Sequence, residues 1–521
     1  MLPVRSFLAF SFFIVFTGTR LSFAAGSGIK AEIKADAQRV KVGERVRFNA
    51  SSSVPGKGAE IYAIYWDFND MDQVNVDATG DTTSHVFNRT GAYNVKVVVE
   101  NDQGERDQAT TSIEVVPDTD QSPTITDYFE GGKSGLFLKT GETFAFRLEW
   151  GGQFFFRIDN CKNIPLSLRI YGYGPRRPVP PSVTPYSDDD SFNDSFTLMS
   201  AAEYQNPDWE PLASAGYRYD RETESLLVRF TPQSESIYLA WSSPYTMRNL
   251  QTYFERWKER PEFKYRPIGL SVEGRPIYLV TITDPEVEDG AKKVVWITGT
   301  QHAYEMAAGP VVEGITEALL EDSDSAKAVR GKFIYQIVPL MNPDAVSRGG
   351  YRYNMHDVDL NRNWDNEQKD LWDRPLAEPE VAAVERAIRE WVSTGWGLDF
   401  FFDFHCLTAI ADTLLMIKAV PDSMPADLAA KQDSFVRDFF ARRWVLRISD
   451  GLSGGAANTE IARLYTKETG VLSYTAEHAL GHITPAGKKT VRTTPAVLRQ
   501  LGRDYVWTIK EFCDSTSLGT K

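Results

Sequence analysis

The sequence predicts a multidomain chain, with two N-terminal all-β sandwiches followed by an α/β domain built on a mixed, mainly parallel sheet. Three observations predict it. Before residue 246, short runs of alternating apolar and polar residues are broken by turn residues, which is the period of half-buried strands. From residue 246 onward, short apolar runs alternate with helical stretches, the pattern of a sheet with helices on its faces. The length of 521 residues also exceeds any ordinary single domain.

Composition narrows the function. With 57 basic and 71 acidic residues the net charge is −14, which does not suit the anionic backbone of nucleic acid. Hydrophobic residues make up 42%, enough for sizeable cores. The cysteines, Cys161, Cys406 and Cys513, can form one bridge at most, so no disulfide framework holds the fold.

At the N-terminus, Arg5, the apolar run Phe7 to Phe16 and the small residues Ala24 and Ala25 predict a signal peptide over 1–25, and hence a secreted or periplasmic protein. An uncleaved anchor is the alternative, although the run is short for a span. No later segment is apolar for long enough to cross a bilayer, so no membrane span is expected in the mature chain.

Residues 29–117 form the first predicted sandwich, immunoglobulin-like in size. Its strands are expected at Val40–Val42, Val46–Phe48, Tyr93–Val99 and Ser112–Val116, separated by turns such as Pro55-Gly56 and Thr90-Gly91. Tyr65-Trp-Asp-Phe68, His85-Val-Phe87 and Gly91-Ala-Tyr93 resemble a PKD domain, although Asn69-Asp70-Met71 replaces that family's Gly-Asp-Gly turn. Trp66 reads as a core aromatic. The segment is either a spacer or a module for a cell-wall or polysaccharide surface.

Residues 124–245 form the second predicted sandwich, interrupted by a Pro- and Asp-rich loop from Pro175 to Asp194. Residues 246–513 form the α/β domain. Strands are expected at Val294–Ile297, Phe333–Val338 and Phe400–Phe404, with helices over Gly309–Leu320 and Glu380–Trp391. In such sheets chemistry gathers at the carboxyl ends of strands.

The chemically suggestive residues fall there. His302 and Glu305, three apart in Thr300-Gln-His-Ala-Tyr-Glu305, follow one strand, and a turn or helix start would bring both to one ion. His405, in Phe402-Asp-Phe-His405, closes another strand. An HxxE pair alone is a weak signal. Two imidazoles and one carboxylate together suit zinc with an open fourth position, the form of a catalytic site.

Between these motifs lie Asn342-Pro-Asp344, Gly350-Tyr-Arg-Tyr353 and Val358-Asp-Leu-Asn-Arg-Asn-Trp364, and Leu472-Ser-Tyr-Thr-Ala-Glu477 follows. In this order they resemble the carboxypeptidase A superfamily of zinc peptidases, with the cytosolic-carboxypeptidase branch most similar. Ile237-Tyr-Leu-Ala-Trp-Ser-Ser-Pro-Tyr-Thr246 resembles the end of that branch's β-rich N-terminal domain. The resemblance implies one zinc ion per chain on His302, Glu305 and His405, with Asp359 orienting a ligand imidazole. It implies Glu477 as general base, Arg352 as oxyanion stabiliser, and Asn361 with Arg362 as the clamp for the terminal carboxylate of a peptide or protein.

Two departures stand out. The stretch Asp450–Ala457 has no counterpart of the mobile tyrosine of pancreatic-type enzymes, and Ile461 stands where the cytosolic branch often has an arginine, so no preference for acidic side chains carries over. Two other readings compete with the carboxypeptidase. One is a zinc amidase of peptidoglycan stem peptides, and the other is an inert binding or adhesion protein.

Overall fold

The alternation that marks the N-terminal segment becomes paired strands in the computed structural model. It describes residues 28–68, 77–87, 91–116, 122–127, 129–133, 137–147, 154–171, 199–201, 209–212, 216–220, 223, 225–364, 377–407, 414–418, 425–449 and 471–516. The 1–25 segment, the Asn69-Asp70-Met71 turn, the Pro175–Asp194 loop and the stretch from Asp450 to Arg463 lie outside the described residues. The chain divides into two units, 1–119 and 120–521.

In the first unit a three-stranded and a five-stranded sheet enclose one core. Every second residue of the long strand Gly91–Asn101 points inward, so Val95, Val97 and Val99 are fully buried. Trp66 is buried among them, and its indole N–H donates to the Gly80 carbonyl at 2.7 Å. It is a core residue, not a binding platform.

The second unit opens with two five-stranded sheets packed around Phe144, Phe156, Ile158, Leu168, Val228 and Leu239. Its 129–133 loop touches the α/β part directly. Glu130 accepts from the backbone N–H groups of Met247 at 2.8 Å and Arg248 at 3.3 Å, capping the helix α1 (Met247–Trp257). Gly131 N–H donates to the Ser347 carbonyl at 2.8 Å.

The remainder is built on an eight-stranded mixed sheet. In chain order the strands are β1 (Phe263–Leu270), β2 (Pro276–Ile282), β3 (Lys293–Gly299), β4 (Phe333–Val338), β5 (Phe400–Leu407), β6 (Leu414–Lys418), β7 (Leu446–Ser449) and β8 (Leu472–Ala479). Their spatial order is β1-β2-β4-β3-β5-β8-β6-β7. The central four, β4, β3, β5 and β8, run parallel. Their residues are buried on both faces, which is why β3 and β5 read as continuous apolar runs.

One face is covered by α1, α2 (Ala308–Leu319) and α7 (Pro495–Ser515), and the other by α5 (Pro379–Ser393). Between them lie α3 (Asp324–Lys332) and α4 (Pro343–Ser347) after β3 and β4, and α6 (Ala426–Ser434) after β6. α2 and α7 cross closely because both present glycine. A Cβ on Gly314 would lie 1.9 Å from the Arg499 carbonyl oxygen, and one on Gly502 would lie 2.1 Å from that of Val311. No described helix is long and apolar enough to cross a membrane.

Candidate metal centre

The site forms where the parallel strands end. β3 stops at Gly299, and Thr300 takes a positive φ of 56°, a conformation that a β-branched residue adopts only under constraint. The constraint is visible: Thr300 is buried, its carbonyl accepts from Asn342 N–H at 3.2 Å, and its hydroxyl donates to the Pro339 carbonyl at 3.3 Å. The chain then turns tightly, with Glu305 N–H bonded to the His302 carbonyl at 3.0 Å, so both side chains reach one point. The Asn342 side chain N-caps α4 and donates to the Gln301 carbonyl at 3.1 Å and that of Tyr353 at 3.4 Å, tying the metal loop to the 350–364 segment.

His302 Nδ1 lies 2.8 Å from Glu305 Oε1, and His405 Nδ1 lies 2.6 Å from Glu305 Oε2. One donor atom from each of the three residues falls within 4.8 Å of the others, and all three residues are buried. Among the described residues no other His, Cys, Asp and Glu group converges in this way. Two imidazoles and a carboxylate fit zinc.

The far nitrogen of each imidazole meets a carboxylate. His302 Nε2 is 3.0 Å from Asp359 Oδ1, and His405 Nε2 is 2.9 Å from Asp403 Oδ2. A carboxylate there holds the proton on Nε2 and leaves the Nδ1 lone pair for a metal. Burial works against a charged His302 ring, but Glu305 and Asp359 outweigh it and raise its pKa. Burial likewise opposes the Asp359 charge, yet His302 and Arg352 hold that carboxyl well below the ordinary aspartate value.

Arg352 Nε donates to Asp359 Oδ2 at 2.7 Å, which leaves the terminal N–H groups of a side chain 24% exposed for a substrate oxygen. Asn361 and Arg362 lie on a single 3₁₀ turn over Leu360–Arg362. Arg362 is exposed, and its guanidinium donates to the Asn361 carbonyl at 2.8 Å. Asn361 is buried, with Nδ2 3.3 Å from His405 Nε2, so it stands against an imidazole of the candidate metal triad.

Glu477 is brought in by strand pairing. β5 and β8 run parallel with His405 opposite Glu477, on the same face of the sheet. Burial and the nearby Glu305 push its carboxyl up, and His405 pulls it down, leaving it at about 7. Proton acceptors poised near neutrality are the ones suited to general-base work. Tyr474, on the same strand, points to the opposite face and donates to the Gln432 carbonyl at 3.2 Å. It belongs to the core, not to the site.

Sequence reasoning missed four contributors. Asp403 stands two residues before His405, a spacing that on any strand puts both side chains on one face, so Asp403-Phe-His405 carried the signal. Gln301 and Trp364 join Asp403 in one buried network. Tyr304 stacks on Tyr351, with ring centroids 4.4 Å apart and 22° between the planes, and lies nearly parallel to His302 at 6.2 Å. Burial, and then Glu305, raise its hydroxyl well above the ordinary phenol value.

Residues 251–411 match the zinc carboxypeptidase family. The chain carries a zinc carboxypeptidase domain. Seven of the eight expected site residues fall within the matched stretch of this carboxypeptidase domain, and Glu477 follows it. Residues 30–116 match the PKD domain. Cytosolic carboxypeptidase 6 of Mus musculus is 31% identical over 211 residues, covering 38% of this chain and 38% of the relative. Cytosolic carboxypeptidase 2 of Xenopus tropicalis is 26% identical over 317 residues, covering 55% of this chain and 30% of the relative. The carboxypeptidase-domain chain thus spans less than half the length of these curated relatives. The fold is that of a metallo-carboxypeptidase from Burkholderia cenocepacia, at a TM-score of 0.61 and 22% identity, covering 76% of this chain and 99% of that one. A metallo-carboxypeptidase from Pseudomonas aeruginosa gives 0.59 and 19%, covering 75% and 99%.

Proposed function

We propose that the protein is an exported zinc carboxypeptidase that releases C-terminal residues from peptides or proteins, with one zinc ion per chain on His302, Glu305 and His405. The observation that carries the reading is the register of β5 and β8, which sets Glu477 directly across from His405, beside two Nδ1 atoms that converge on one carboxylate. Zinc in that donor set supplies a Lewis acid for the scissile carbonyl and the attacking water. Glu477 takes the proton of the attacking water and returns it to the departing amine. Arg352 turns its free N–H groups to the oxygen that gains charge. Arg362, exposed beside the site, grips the terminal carboxylate, and that grip restricts cleavage to the last residue. Asn361 faces His405 from the same turn and completes the clamp.

Three features support export: the apolar run Phe7–Phe16, the flanking Arg5, and the small residues Ala24 and Ala25. Sequencing the mature N-terminus and fractionating the cells test it: an intact residue 1 would replace the cleaved peptide with an anchor, and recovery in the cytoplasm would rule export out. For the PKD domain we propose a spacer role, since Trp66 is spent in the core. Polysaccharide pull-down with the full chain tests that, and specific retention would overturn it.

The deciding experiment measures zinc per chain and the release of C-terminal residues from a mixed peptide library, beside Glu477→Gln. One zinc with release that the substitution abolishes fits the proposal. Zinc without release, but with cleavage of peptidoglycan stem peptides, would replace it with an amidase. Neither zinc nor cleavage would leave an inert binding protein.

A further inference from the structure

Asp403 does not hold His405 alone. Both Asp403 oxygens accept from the side-chain amide of Gln301, at 2.8 and 2.9 Å, and Gln301 Oε1 accepts from the indole N–H of Trp364 at 2.9 Å. All three residues are buried, at 0%, 0% and 6% exposure for Asp403, Gln301 and Trp364. An indole N–H can only donate, so it must face the amide oxygen of Gln301. That choice turns the amide nitrogen toward Asp403. The reversed amide would set oxygen against carboxylate and N–H against N–H, and all three hydrogen bonds would be lost in a dry interior.

Trp364 ends the segment that begins with Asp359. One end of this segment meets His302 directly through Asp359, and the other reaches His405 through Trp364, Gln301 and Asp403. A single stretch of backbone, carrying Asn361 and Arg362, therefore orients both imidazoles.

We propose that Trp364 and Gln301 are positioning residues for His405, a hydrogen-bonded relay through Asp403 that sets how tightly the centre holds its metal. The inference rests on the reading of His302, Glu305 and His405 as a zinc site, and it does not depend on which bond the enzyme cuts. Trp364 acts through Gln301, so its effect vanishes once Gln301 can no longer pass it on.

The test uses the full zinc-loaded chain and three variants: Trp364→Phe, which removes the donor and keeps an aromatic ring, Gln301→Leu, and the double substitution. Zinc loss to an excess of a chromogenic chelator is timed for each, with near-ultraviolet circular dichroism confirming the fold. Groups behind metal ligands contribute about 10- to 100-fold to metal affinity, so Gln301→Leu is expected to speed zinc loss by about tenfold or more, and Trp364→Phe by a few-fold up to about tenfold. The double variant is expected to lose zinc no faster than Gln301→Leu. A purely structural tryptophan would make the two effects multiply, and that result overturns the relay. So does a Trp364→Phe rate within about twofold of the parent, since the expected loosening is larger. If Trp364→Phe does not fold, Gln301→Leu decides alone, and an unchanged rate overturns the proposal. Peptide release assayed in parallel separates the two readings. Faster zinc loss without any release upholds the relay and sinks the carboxypeptidase, while normal release with unchanged zinc loss does the reverse. A parent chain that takes up no zinc sinks both.

Discussion

Replacing Glu477 by glutamine should remove activity and add stability. The folded chain holds a proton on Glu477 up to about 7, against an ordinary glutamate value of 4.5, chiefly because burial disfavours the charge. The unfolded chain gives up that proton near 4.5, so ionisation costs the folded state nothing below that pH. The cost grows between 4.5 and about 7 and is complete above it. At about 1.4 kcal/mol per pH unit, that interval comes to roughly 3 kcal/mol in the metal-free protein. Glutamine keeps the shape and carries no charge, so metal-free Glu477→Gln should be more stable than the parent by up to about 3 kcal/mol at pH 8 and nearly equal to it at pH 4.5. Its turnover, with zinc restored, should fall by about 10²- to 10⁴-fold, the usual weight of a general base. Denaturant unfolding of both metal-free proteins at pH 4.5, 6 and 8 reads the first effect, and peptide release reads the second. If the two proteins keep the same stability difference at every pH, the carboxylate is not held in an unfavourable state and the argument for its poise collapses.

Other substitutions probe the remaining parts. Asp403→Ala should weaken zinc binding by about 10- to 100-fold, measured by competition with a chelator of known affinity, and an unchanged affinity would mean that His405 needs no partner behind it. Arg362→Ala should raise KM for peptides with a free C-terminus by about ten- to a hundredfold, from the loss of a charge-assisted hydrogen bond. Peptides with amidated C-termini serve as the control, and an equal change for both would remove Arg362 from the clamp. Gly314→Ala puts a Cβ 1.9 Å from the Arg499 carbonyl oxygen, so thermal unfolding should show a loss of about 1–3 kcal/mol or more as α2 and α7 separate. A neutral result would show that this crossing yields easily.

The sequence disclosed most where one force decided the outcome. Apolar runs this short and this rich in β-branched and aromatic residues fit strands buried on both faces, and β3, β4 and β5 lie where those runs do. The candidate metal triad was legible because a metal needs few residue types and the chain has only six histidines. The hairpin of β1 and β2 was harder to see. β1 lies at the sheet edge with several exposed residues, so its burial pattern has no clean period. Helix α7 has a start signal in Thr494-Pro495 and an apolar stripe through Leu498, Leu501, Tyr505 and Ile509, but Gly502 looks like a helix breaker until the close crossing with α2 explains it. Gln301 and Trp364 escaped for a different reason. Neither is a type of residue that announces chemistry, and their partnership spans 63 positions in the chain. Thr300 escaped because sequence pattern carries no sign of a backbone held at positive φ.

The pairing of His405 with Glu477 makes the spacing of these two side chains a property of the backbone lattice. The separation of β5 and β8 is fixed by their interstrand hydrogen bonds at about 4.8 Å, whatever the loops around them do. Loops at the rim can therefore diverge without changing that spacing. Sliding β8 by a single position would not simply displace the carboxylate. It would turn Glu477 into the apolar layer that α7 covers and offer His478, now buried against Phe404 and Tyr505, in its place. In this architecture the carboxylate opposite His405 is inherited all or none.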